Sequence, residues 1–248
     1  MGEVMNETMK DYILHLADDA LVMSQRLSEW TGHGPVLEQD IALTNIALDY
    51  LGQARNFYQH AATIMGGDAS EDSLAMLRLE HEFKNHLLAE FPNGDWAQTI
   101  LKVYFFSAYQ KLLMQQLVNA DDEQVRGTAE KSLKEVSYHL RWSREWVLRL
   151  GDGTEESHQY MVQALGNVWM FTNELFEQPS YHQGLVDYTS IKTAWMEEVS
   201  KTFAEATLDL PAAPGFQTGG LYGRHTEHLG FLLAEMQYVQ RAYPNSEW

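Results

Sequence analysis

Asp49-Tyr50-Leu51-Gly52 and Glu135-Val136-Ser137-Tyr138 lie in the middle of two long stretches with helical periodicity. Each opens on a carboxylate, as a Glu-x-x-His motif does, and each lacks the imidazole three residues on, where Gly52 and Tyr138 stand instead. Carboxylate-bridged di-iron bundles take a carboxylate from each of two helices and Glu-x-x-His from each of the other two, all pointing inward. The pattern therefore predicts an all-α four-helix scaffold of that type with an incomplete ligand set. Glycine donates no side-chain atom, and tyrosine is not the expected ligand of a di-iron pair.

Around Asp49 the helix is expected from about Glu38 to Met65, closed by Gly66-Gly67 and roughly 40 Å long at 1.5 Å per residue. A first helix is expected from about Glu7 to Trp30, with Ile13, Leu14, Ala17, Ala20, Leu21 and Leu27 at helical spacings. Thr31-Gly32-His33-Gly34-Pro35 separates the two. A second hairpin repeats the plan. Asp95 is the expected N-cap of a helix from Trp96 to Val118, and Asp121 that of a helix running from Asp122 to Leu150, stopped by Gly151. Ser70 to Leu88 reads as a shorter helix between the hairpins, followed by a Phe91-Pro92-Asn93-Gly94 turn. Further helices are expected near Glu155 to Phe176 and Leu185 to Leu208. A loop through Pro211, Pro214 and Gly219-Gly220 then leads to a last helix from about Thr226 to Ala242. No strand system and no linker is visible. One helical domain over 1–248 is expected, with a core bundle at roughly 7–150 and extra helices at roughly 155–243.

Residues equally far from the turn of an antiparallel hairpin share a level. That arithmetic sets Asp49 opposite Asp18 or Asp19, and Glu135 opposite Ser107. The candidate layer is then Asp18, Asp49 with Gly52, Ser107, and Glu135 with Tyr138: three carboxylates and no imidazole. These positions are expected to be vestigial, without metal or catalytic role, with Asp49 and Glu135 as buried, hydrogen-bonded acids. His139 is off register by about 100°. The literal Glu155-x-x-His158 follows Gly151-Asp152-Gly153-Thr154 and opens a helix, where acids have an ordinary role. His225-Thr226-Glu227-His228 lacks a zincin pattern; His225, Glu227 and His228 are expected to cap the last helix or touch a partner. Gly219-Gly220-Leu221-Tyr222-Gly223-Arg224 lacks the preceding strand of a nucleotide-binding fingerprint. Tryptophans 142, 146, 169 and 195 read as core or interface.

With 35 acidic and 17 basic side chains, the formal charge is −18. Nucleic-acid binding rests on clustered Lys and Arg, so that class is disfavoured. A principal role in holding polyanionic coenzyme A is disfavoured more weakly, while a basic partner would be steered in. The lack of cysteine excludes disulfides, thiolate nucleophiles and zinc-thiolate sites. Met1 to Lys10 has no apolar signal core, and no uncharged run of about 18 apolar residues occurs. A cytoplasmic protein is expected.

Longer segments resemble a known family. They are Ser24-Gln25-Arg26-Leu27 with Glu29-Trp30, Gly32-His33-Gly34-Pro35, and Ala47 through Phe57 with its Asp-x-x-Gly-Gln-Ala-Arg-Asn core. Pro92-Asn93-Gly94, Lys134-Glu135 with Tyr138-His139-Leu140-Arg141, and His225-Thr226-Glu227-His228-Leu229-Gly230 with Ala234 through Tyr238 complete the set. Together they closely resemble the structural subunits of bacterial phenylacetyl-CoA epoxidase complexes, over nearly the whole chain. The resemblance implies a ferritin-like fold, no cofactor in this chain, and a hetero-oligomer with a homologous catalytic subunit that carries the di-iron centre. It further implies a reductase with flavin and iron–sulfur centres that passes electrons from NADPH. The implied reaction inserts one oxygen atom of O2 into the ring of phenylacetyl-CoA, forming an epoxide in aerobic phenylacetate catabolism. Ser107 departs from the family pattern, where an aspartate can occur. The competing readings are an autonomous di-iron or di-manganese oxidase with atypical ligands and a free-standing helical adaptor. The first needs nitrogen donors that Gly52 and Tyr138 do not supply. The second would not co-purify with a Glu-x-x-His paralogue.

Overall fold

The computed structural model describes residues 2–182, 184–244 and 246. Every regular element among them is helical, as expected. The long helices are α1 (Gly2–Ser28), α2 (Leu37–Met65), α5 (Trp96–Leu117) and α6 (Glu123–Gly151), with short α3 (Glu71–Met76) and α4 (Leu87–Glu90) between the hairpins. Then follow α7 (Glu155–Val168), α8 (Tyr188–Glu205), α9 (Glu227–Met236) and α10 (Tyr238–Ala242). No helix among the described residues is long and apolar enough to cross a membrane.

The contacts gather into two compact units. One comprises the residues through Pro92, Pro179–His182 and those from Gly219 onward; the other comprises Asn93–Gln178 and the stretch ending at Thr218. In the first unit α1 and α2 run antiparallel: Ser24 Oγ donates to the Ala47 carbonyl at 2.8 Å, and farther from the turn the Tyr58 hydroxyl reaches Asp18. Residues Tyr12 to Ser24 of α1 are all buried, so this stretch is enclosed on every side, whereas α2 keeps Ile41, Leu48 and Leu51 exposed along one flank. In the second unit α5 is the enclosed helix, buried from Ala97 to Gln110, and α6 is amphipathic. Helix α8 runs antiparallel to α5: Trp195 Nε1 donates to the Phe105 carbonyl at 3.0 Å, and Gln116 Nε2 to Ser190 Oγ at 3.1 Å.

Asp95 caps α5 through the Gln98 amide, as expected. The cap of α6 is Asp122, one residue later than expected, because its carboxylate accepts from the Val125 amide. The single helix expected over Ser70 to Leu88 is not formed. Helix α3 ends at Met76, a 3-10 turn covers Glu80–Glu82, and Phe83 to His86 have no regular structure. The helix expected to reach Phe176 tightens to 3-10 geometry over Trp169–Phe176. The Gly-rich loop 219–224 is a packing device. A Cβ at Gly220 would run into the Asn85 carbonyl, and one at Gly223, where φ is +71°, into that of His81.

Candidate functional site

The polar centre of the first unit is built on Asp18 and Asp19, neighbours on α1 and both fully buried. Asp18 Oδ1 accepts the Tyr58 hydroxyl at 2.5 Å and the Arg78 guanidinium; Oδ2 accepts the Lys84 amide at 2.8 Å and Arg78 Nη1 at 3.1 Å. Burial, reinforced by the Asp18 charge, pushes the Tyr58 hydroxyl far up, so it remains a donor. Burial works against the charge on Arg78, but Asp18 and Tyr58 together outweigh it and raise the guanidinium above its ordinary value. Asp19 Oδ1 accepts the His86 amide at 2.8 Å, and Oδ2 accepts from His86 Nδ1 at 2.7 Å. The irregular segment 78–86 is thus clasped by two adjacent carboxylates, which satisfy amides that no helix uses.

A second ionic knot lies in the same unit. Glu90 Oε1 accepts the Thr226 amide at 2.6 Å, and Oε2 accepts from His225 Nδ1 at 2.7 Å and Asn85 Nδ2 at 2.9 Å. His225 Nε2 also donates, to the Phe83 carbonyl at 2.9 Å. Both ring nitrogens therefore act as donors. Burial disfavours the charge on His225, but the Glu90 hydrogen bond, the Glu90 charge and the Phe83 carbonyl together outweigh it and raise the imidazole above its ordinary value. Arg26 ties the same region together, donating to the Glu90 carbonyl at 2.8 Å and the His228 carbonyl at 3.0 Å.

The expected carboxylate layer is placed differently. Because Ser24 is level with Ala47, Asp49 is level with Val22, one turn from Asp18. Asp49 and Gly52 sit on a half-buried flank of α2, so Asp49 is not the fully buried acid expected. Ser107 is fully buried on α5. Glu135 on α6 is half-buried, with its side chain 18% exposed and 3.7 Å from Lys131 Nζ. Tyr138 is 39% exposed with the Arg141 guanidinium over its ring, while His139 is the residue α6 buries. A di-iron centre does not fit these residues. The oxygens of Asp18 are already shared among Tyr58, Arg78 and the Lys84 amide, Gly52 has no donor, and Tyr138 faces outward.

The expectation of partner contact through His225 is corrected, since its side chain is fully buried against Glu90. Glu227 remains exposed and His228 half-buried, its ring against Phe91. Thr226 caps α9 through the His228 amide. His158 Nδ1 donates to the Gly151 carbonyl at the start of α7. The sequence reading missed Tyr58, Arg78, His86 and Glu90, whose partners are distant in sequence, and it missed His15. His15 and Asp19 did carry a local signal, an imidazole and a carboxylate four residues apart on one helix.

Long helices paired as hairpins, with no strand among the described residues, make this an all-α protein of the ferritin-like class. The chain belongs to the phenylacetic acid catabolic protein family, whose model matches residues 1–248. It is 48% identical over 243 residues to the C subunit of the 1,2-phenylacetyl-CoA epoxidase of Escherichia coli (strain K12), covering 96% of this chain and 98% of that protein.

Proposed function

We propose that this chain is the structural, non-catalytic subunit of a cytoplasmic phenylacetyl-CoA epoxidase. It pairs with a homologous subunit that carries the di-iron centre and forms the ring 1,2-epoxide, with electrons drawn from NADPH through a flavin and iron–sulfur reductase. The observation that carries this reading is the near end-to-end likeness to the E. coli epoxidase component, together with an Asp18 carboxylate that is engaged by protein donors where a di-iron site would need it open. A scaffold role uses the fold's surface, and obligate interfaces commonly bury upward of about 2,000 Å².

The test is co-expression with the Glu-x-x-His paralogue, followed by size-exclusion chromatography and an epoxidation assay. One co-eluting, active species is expected, with the iron in the paralogue. Separate elution at micromolar concentration, with a paralogue equally active alone, sinks the scaffold role. Two irons per chain in this subunit by elemental analysis would point instead to an autonomous oxidase.

A further inference from the structure

We propose that His15, Asp19 and His86 form a buried site for one divalent transition cation of the zinc type, separate from the incomplete carboxylate layer. The three side chains are buried, and one donor atom from each lies within 4.8 Å of the others. His15 and Asp19 share a face of α1, and His86 reaches them from the irregular segment before α4. Asp19 Oδ2 is common to both imidazoles, 2.7 Å from His86 Nδ1 and 3.8 Å from His15 Nε2. With metal–ligand bonds of about 2.0–2.2 Å, two donors on a tetrahedral zinc stand roughly 3.4 Å apart; the His15–Asp19 separation is close to that, whereas the His86 Nδ1–Asp19 hydrogen bond opens and releases its proton as the cation enters.

The orientation of His15 carries the inference. Its Nδ1 lies 2.8 Å from the Lys84 carbonyl, which can only accept, so that nitrogen bears the ring proton. Nε2 of the neutral ring then turns its lone pair toward Asp19, with no hydrogen-bond partner. An imidazole lone pair facing a carboxylate in a fully buried place is unfavourable unless an electrophile lies between them. A divalent cation satisfies both groups. Donation of the second ring nitrogen to a backbone carbonyl is, moreover, the outer contact that metal-bound histidines usually make.

Two imidazoles and one carboxylate suit zinc or ferrous iron better than magnesium or calcium, which prefer oxygen alone. The rings of His182 and Tyr181 stand 4.8 and 6.3 Å from that of His15, closing the site from water. The cation is therefore a structural one, taken up as the chain folds. This site stands independently of the function proposed above.

The experiment uses the full chain, stripped with EDTA, refolded with zinc chloride and dialysed. One zinc per chain is expected, with X-ray absorption showing two imidazole nitrogens and a carboxylate oxygen at about 2.0–2.2 Å. His15→Gln should weaken binding by more than about 100-fold, because loss of an outer hydrogen-bond partner alone costs 10–100-fold. If that variant fails to fold, the absorption spectrum of the wild-type protein still decides. No retained zinc, a spectrum without two imidazoles, or undiminished binding in a folded His15→Gln overturns the site. Iron at two per chain would count against the structural-subunit reading, whereas the zinc count and its spectrum test this one, so the two failures are distinguishable.

Discussion

Residues Tyr12–Ser24 of α1 and Ala97–Gln110 of α5 are all buried, yet they are buried by different chemistry. Around α1 the interior holds His15, Asp18, Asp19 and Arg26, each matched to a partner group or to the irregular segment 78–86. Around α5 it is largely aromatic: the Phe105 ring lies 5.8, 5.5 and 5.9 Å from those of Trp169, Trp195 and Phe203. An aromatic core gains free energy from area and tolerates small shifts, at about 1.5–3 kcal/mol for each large side chain buried. A carboxylate core gains little net energy but has direction, so it can hold a segment that makes no regular structure of its own. The difference explains why Phe83 to His86 stay ordered without a helix.

Breaking each core separates the two accounts. Asp18→Ala should have the largest effect, about 3–5 kcal/mol in urea or thermal unfolding, since Arg78 would be left buried and unpaired. Asp18→Leu with Arg78→Met should recover much of that loss, because removing both charges removes the desolvation cost. Trp195→Phe in the aromatic core should cost less, about 1–3 kcal/mol, for a lost hydrogen bond and a partly filled cavity. If Asp18→Ala proves milder than Trp195→Phe, the polar centre is not what orders the first unit.

The ionic knot at Glu90 sharpens the comparison through pH. His225 is raised above its ordinary value of 6.5 in the folded chain. Its contribution is therefore complete below about 6.5, the unfolded value, and is lost as pH climbs through the raised folded value. His15 has the opposite sign: its folded value is lowered, so its contribution is present above the unfolded value and lost on acidification. Melting temperature should fall as pH is raised from about 6.5, and His225→Gln should flatten that limb while leaving the acid limb in place. An unchanged alkaline slope in His225→Gln would show that Glu90 does not hold a charged imidazole.

Much of the helical layout was readable from the sequence, because caps and periodicity are local. Asp95 and the break at Gly66-Gly67 fall where their chemistry puts them. The segment 70–88 misled because its apolar spacing favours a helix, while the acceptors that win its backbone amides, Asp18 and Asp19, lie more than sixty residues away. The same distance hid the roles of those two acids. They turn toward Arg78 and His86, and levels counted along two helices do not show which face a side chain takes. His225 was hidden likewise, its partner Glu90 lying 135 residues upstream.

The smallest expected effect comes from restoring the missing imidazoles. Gly52→His adds a Cβ that meets nothing within 4 Å, and it replaces the poorest ordinary helix former on a half-buried flank. A gain of a few tenths of a kcal/mol, roughly the difference in helix propensity, is expected. Tyr138→His removes an exposed ring and the Arg141 contact above it, and should stay within about 0.5 kcal/mol of neutral. Because Tyr138 faces outward and Asp18 remains engaged by Arg78 and Tyr58, the double variant should not gain iron even though both imidazoles are present. Calorimetric titration with ferrous iron under anaerobic conditions checks this. Uptake of two irons by Gly52→His/Tyr138→His would mean that these positions converge after all, and that only two imidazoles separate this scaffold from a di-iron enzyme.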